Sequence, residues 1–239
     1  MTQSEPAQPR FLLRLGLDPI LILSALIAFA YGIWAPGLFA QPNAPHLWLA
    51  AFKAAPVFLL SFRAVAARAS LLAFGLLFGC VGDAFLVWPD KFLHGALAFL
   101  IGHICYIRLF LREGIGVSAS LKQLPRLTAA SILIAASIAM TSLLVPRESL
   151  ATLGIYTGVL TLMALTSFTL PWARWLAIAG AVLFFISDGF VAWNMFHHDP
   201  DPALAYWRSL AGWMIYWAGQ AAICVGMGPF ALRKPASPT

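Results

Sequence analysis

Two aspartates stand inside segments that otherwise read as membrane. Asp83 lies in LLFGCVGDAFLVW and Asp188 in GAVLFFISDGFVAW, each five residues before a tryptophan, Trp88 and Trp193. A carboxylate in hydrocarbon carries a desolvation penalty of a few kcal/mol, and such residues usually mark function. Two carboxylates in unlike surroundings can divide the tasks of proton donor and anion between them. Lys53 lies well inside a span, and His103 sits near the middle of another. Tyr216 and Gln220 are one turn apart on the last apolar segment and so share a face. The same set admits two further readings. Lys53 and an aspartate could pair simply to tie helices together, and buried Asp, Lys and His are also what a proton-coupled transporter uses. A catalytic zinc wants about three protein ligands, and only His103 is deep, so no metal site is expected.

The elements that must position these residues are membrane helices. Of 239 residues, 61% are hydrophobic and 10% charged, and the mean hydropathy is +0.84. Soluble domains carry about 25% charged residues, so the composition excludes an ordinary soluble enzyme. Apolar runs of about 17–25 residues place eight spans at 17–34, 46–62, 69–88, 92–112, 126–145, 151–170, 173–196 and 206–230. The chain reads as an all-α polytopic membrane bundle forming a single integral domain over 1–239, with 1–10 and 234–239 as disordered tails. Cys80, Cys105 and Cys224 lie in apolar segments without metal spacing and read as small core residues.

The net charge of +6 is explained by topology, with no nucleic-acid partner implied. With alternating spans, eleven basic residues fall on the side of the termini. Three, Lys91, Arg147 and Arg208, fall on the other. The asymmetry puts both termini in the cytoplasm. Spans three and seven echo each other at an offset of 105: Gly75, Asp83, Phe85 and Trp88 match Gly180, Asp188, Phe190 and Trp193. Spans four and eight add GH at 102–103 against GQ at 219–220. The expectation is a parallel four-plus-four repeat. Gly75, Gly79 and Gly82 share a face with Asp83 and read as close helix packing.

Taken in order, LLFGCVGDAFLVW, FLHGALAFLIGHICYI, GAVLFFISDGFVAW and YWAGQAAI resemble the signature blocks of the YhhN-like lysoplasmalogenase family, and Lys53 with Pro56 resembles its Lys-Pro element. The chain departs from the pattern in the two alanines between Lys53 and Pro56 and in Gly219 before Gln220. The resemblance implies an eight-span hydrolase, of a bacterial inner membrane, that cleaves the vinyl ether of lysoplasmalogens. The products would be a fatty aldehyde and glycerophosphoethanolamine or glycerophosphocholine. It implies Asp83 and Asp188 as catalytic, with Lys53, His103, Tyr106, Tyr216 and Gln220 binding substrate or orienting water. No cofactor is implied, and the partners are the lysophospholipid and membrane lipids. A vinyl ether has no carbonyl to attack; its cleavage begins with a proton delivered to carbon, which suits carboxylates. A proton-coupled transporter is the alternative.

Overall fold

The computed structural model describes residues 18–39, 46–197 and 201–228. The two tails expected to be disordered lie outside the described residues. Eight long helices follow one another: α1 (Pro19–Phe39), α2 (His46–Ala66), α3 (Ser70–Phe85), α4 (Phe92–Glu113), α6 (Leu124–Leu144), α7 (Leu150–Ser167), α8 (Trp175–Phe196) and α9 (Pro202–Gly226). A short α5 (Val117–Leu121) links α4 to α6. By length and composition, five stretches are long and apolar enough to cross a membrane: Leu47–Ala66, Pro89–Glu113, Leu124–Leu144, Arg147–Ser167 and Trp172–Phe196. Pro19–Ala35 and Ser70–Phe85 are shorter apolar helices. Large apolar side chains such as Leu26, Phe29, Phe58, Phe62, Ile132, Ile138 and Ile155 face outward, which fits a surface solvated by lipid rather than water.

The third span ends earlier than the sequence pattern suggests. The helix stops at Phe85, and Trp88 is extended (φ −100°, ψ 120°) before the Pro89–Lys91 3₁₀ turn. A residue preceding proline is driven out of the helical region by the proline ring. Asp83 therefore sits in the last turn of α3.

Close helix crossings repeat at the predicted offset. A methyl group built on Gly102 of α4 would lie 3.0 Å from the Gly75 carbonyl of α3, with Phe78 Cβ and Gly79 N next nearest. One built on Gly219 of α9 would lie 2.9 Å from the Gly180 carbonyl of α8, with Phe184 N and Leu183 Cβ next. Adding 105 to 75, 78 and 79 gives 180, 183 and 184. The α3–α4 and α8–α9 pairs thus cross at matching points, where only a missing Cβ lets the backbones approach.

Arginines clamp the end of the bundle that carries the α2–α3, α4–α6 and α7–α8 connections. Arg63 Nε reaches Asp18 Oδ2 at 2.6 Å, and Arg174 donates to Glu113 Oε2 at 3.0 Å. Arg126 is buried; it donates to the carbonyls of Phe168 and Leu170 and so caps the end of α7. Three residues read from sequence as topology signals are therefore also structural fasteners.

Candidate active site

The glycine face of α3 makes room for side chains. A methyl on Gly79 would meet Gln220 Nε2 at 2.8 Å, one on Gly82 would meet the Phe99 ring at 2.6 Å, and one on Gly75 would collide with the Tyr106 ring. The close helix packing expected from sequence is present, since methyl groups on Gly102 and Gly95 of α4 would crowd the Gly75 and Gly82 carbonyls, and side chains of α4 and α9 fill the rest of the space. Across this face runs a polar chain. Tyr106 donates to Gln220 Oε1 at 2.7 Å, Gln220 Nε2 donates to the Tyr216 oxygen at 3.3 Å, and Tyr216 donates to Asp83 Oδ2 at 2.8 Å. All four are buried, so each bond replaces a partner that neither lipid nor apolar core could supply.

Asp188 has a different support. Tyr156 of α7 donates to its Oδ2 at 2.6 Å, and His103 Nε2 of α4 lies 3.4 Å from the Tyr156 oxygen. Phe184 stands between the two networks, its ring edge-on to both His103 and Tyr216.

Asp83, Asp188, Lys53 and Tyr216 all line one cavity of about 840 Å³. Its other walls are mostly apolar, and they run out to Ala35, Phe92, Val145, Phe196 and Pro202. Those residues lie at helix ends on one side of the bundle, opposite the arginine clamps. The cavity thus extends from the carboxylates to that end. Near its rim Asn194 accepts from Arg208 Nε at 2.6 Å and donates to Ser209 at 3.3 Å. Asp83 is only 2% exposed, whereas Asp188 and Lys53 are half-buried because the cavity reaches them. Lys53 lines the same cavity as both carboxylates.

The residues expected to bind substrate separate into two layers. Lys53 and Tyr216 are on the cavity wall; His103, Tyr106 and Gln220 are not, and instead hold other side chains from behind. Three tyrosines on the wall, Tyr31, Tyr156 and Tyr206, were not singled out from sequence. Their signal was a hydroxyl inside an apolar helix, a weaker anomaly than a charge. Among the described residues no group of three or more His, Cys, Asp or Glu could hold a metal ion.

A helical bundle with outward apolar faces and an inner chamber ending on two carboxylates defines a multi-pass membrane protein with an enclosed polar site. The chain belongs to the YhhN family, which it matches over residues 48–227. It is similar to lysoplasmalogenase TMEM86B of Sus scrofa, at 30% identity over 80% of this chain and 81% of that protein. It is similar also to lysoplasmalogenase TMEM86B of Mus musculus, at 29% over 93% and 88%, and to lysoplasmalogenase TMEM86A of Homo sapiens, at 30% over 65% and 70%. No solved structure matches the chain at a significant level.

Proposed function

We infer that this protein is a membrane hydrolase that cleaves the vinyl ether bond of lysoplasmalogens, using Asp83 and Asp188. The observation that carries the reading is the shared cavity: two carboxylates and a lysine at one end of a long apolar chamber, in a chain of the YhhN family. A single-chain lipid has one alkyl tail and one polar head, and the chamber is apolar along its walls and polar at both ends. The head group would lie near the rim, where Arg208, Asn194 and Ser209 gather.

The chemistry follows from the bond. A proton from a carboxylic acid adds to the β-carbon of the vinyl ether, and the ether oxygen shares its lone pair to form an oxocarbenium ion. A carboxylate facing that ion stabilises charge that exists only after protonation, which is where preorganised electrostatics accelerate a reaction. Water then adds to the cationic carbon and gives up a proton. The hemiacetal collapses, its hydroxyl proton leaving as the glycerol oxygen takes one up, to release aldehyde and alcohol. Tyr216 and Tyr156 each donate to one oxygen of a carboxyl group and so fix its orientation in the site.

The transporter alternative fits less well. Behind Tyr216 and Asp83 stand the buried Gln220 and Tyr106, and the helix-end residues that line the chamber lie at one end of the bundle, which supports a site entered from one side. The localisation that accompanies the reading is a bacterial inner membrane with both termini cytoplasmic, which opens the chamber on the outer side. The test is an assay of purified protein on a lysoplasmalogen and on the matching ester lysophospholipid. Aldehyde release from the first and no fatty acid from the second is expected; no aldehyde from the first would overturn the reading.

A further inference from the structure

We propose that Lys53 and Tyr31 form a seat for the phosphate of the bound lipid, one glycerol length from the reacting bond, so that the site takes single-chain lipids carrying a phosphodiester and disfavours the same ether without one. The assignment rests on the vinyl ether reading above and deepens it.

Packing contacts fix the level of Lys53. Helix α2 runs beside α3 in the opposite direction. Leu49 packs in one apolar cluster with Val87, and Val57 Cγ1 lies 3.6 Å from a methyl built on Gly79. Halfway between these contacts Lys53 falls opposite Asp83, one turn from each. Tyr31 comes to the same place from α1. Its ring meets Phe52, the chain neighbour of Lys53, at 5.5 Å and Trp213 at 4.7 Å. Trp213 in turn meets Tyr216, the donor to Asp83, at 5.6 Å. Lys53, Tyr31, Asp83 and Tyr216 all line the chamber.

Neither Lys53 nor Tyr31 uses its polar atom within the protein. Among the described residues no carboxylate oxygen lies within 4.0 Å of the Lys53 ammonium, and no hydrogen bond ties it or the Tyr31 hydroxyl to another group. Tyr31 is 5% exposed. Two other tyrosines of the chamber, Tyr156 and Tyr216, both donate to carboxylates. A buried donor without an acceptor destabilises, and an ammonium on an apolar wall destabilises more. Both penalties fall when an anion enters. Two donors, one of them charged, suit a phosphodiester, a monoanion with two unesterified oxygens, and lysine is a common phosphate ligand.

The dimensions of the lipid place its phosphate at this level. Five bonds separate the ether oxygen from phosphorus, about 6 Å end to end with bonds near 1.5 Å. Nine bonds separate it from the head-group nitrogen, about 11 Å on the same basis. Along α8, Asn194 stands six residues beyond Asp188, and along α9 Ser209 stands seven before Tyr216, about 9–10 Å toward the rim at 1.5 Å per residue. With the ether oxygen beside the carboxylates, the amine reaches Asn194 and Ser209 while the phosphate stays inside with Lys53 and Tyr31. Arg208 is the competing cation. It does not line the chamber; its Nε donates to Asn194 Oδ1 at 2.6 Å, and its guanidinium lies over the Trp193 ring.

The test compares two probes that cannot be hydrolysed, on the full-length protein in detergent. One is a saturated alkyl-ether lysophosphoethanolamine; the other is the alkylglycerol with the same tail, which lacks the phosphate. The ratio of the two dissociation constants is taken within each variant, so an unfolded fraction cancels. Wild-type protein is expected to favour the phospholipid. Lys53→Met should cut that preference by about tenfold or more and Tyr31→Phe by about threefold or more, the size of one hydrogen bond to a charged group lost in each case. Tyr31→Phe keeps the ring and carries the test if Lys53→Met does not fold. Arg208→Gln should leave the preference within about threefold. A preference absent from the wild type, untouched by Lys53→Met and Tyr31→Phe, or lost instead in Arg208→Gln, overturns the seat. Inorganic phosphate at millimolar concentration should not displace the phospholipid probe; displacement would make this a site for the free ion and overturns the lipid assignment. If the preference behaves as stated but no vinyl ether is cleaved, the hydrolase reading fails and the seat stands.

Discussion

Removing the charge of Asp83 separates catalysis from stability. Asparagine keeps the shape and can still accept the Tyr216 hydrogen bond, which is 2.8 Å long in the wild type. What disappears is a negative charge on the cavity that Lys53 also lines, in a position 2% exposed. An uncompensated buried charge destabilises by about 3–5 kcal/mol, so Asp83→Asn should lower the thermal midpoint clearly. Asp188→Asn weakens the charge-assisted hydrogen bond from Tyr156 and should lower it by the equivalent of about 1 kcal/mol. Adding Lys53→Met to Asp83→Asn removes the orphaned cation and should restore most of the lost stability. Activity should follow another rule. Loss of a general acid or base slows turnover by about 100- to 10,000-fold, so both single variants and the restored double variant should be nearly inactive per folded molecule. The assay is aldehyde release from lysoplasmalogen beside a thermal unfolding curve for each protein. Recovery of activity together with stability in the double variant would mean that Asp83 and Lys53 form a structural pair only.

Other expectations concern the frame around the site. Gly219→Ala should destabilise by about 1–3 kcal/mol through overpacking against the Gly180 carbonyl. Gly158→Ala, whose added methyl meets nothing within 4 Å, should be neutral or stabilising by up to about 1 kcal/mol; comparison of the two thermal midpoints checks the α8–α9 crossing. Outside the membrane-spanning segments, burial would raise the Asp18 carboxyl. The hydrogen bond from Arg63, the amides of Leu21 and Ile20 and the Arg63 charge outweigh it and hold Asp18 below its ordinary 3.8. A lowered folded value stabilises above the unfolded value and is lost as pH falls through the folded one. The midpoint difference between wild type and Asp18→Asn should therefore persist down to about pH 4 and shrink only in stronger acid. Reporter fusions after Thr239 and between Phe196 and Pro202 should report opposite sides of the membrane, and equal signals would refute the assigned topology.

Much of the architecture was written in local composition. Apolar runs set the eight long helices to within a few residues, because a helix is the economical way to satisfy backbone groups in lipid. Pro89 explains the early end of α3. Asp83, Asp188 and Lys53 stood out because a charge in an apolar run is conspicuous one residue at a time. What surrounds them was not legible, since contact between α3, α4, α7 and α9 depends on how helices rotate and cross rather than on any one segment. Tyr156 is 32 residues from Asp188 and Tyr216 is 133 from Asp83; no sequence spacing relates them. The glycines of α3 likewise read as packing points, and only the tertiary structure shows Gln220, Phe99 and Tyr106 filling the space they leave. The sequence by itself determined which polar groups lie within apolar helices. The packing decided which of them face the chamber and which stand behind it, because those relations exist only once the helices are assembled.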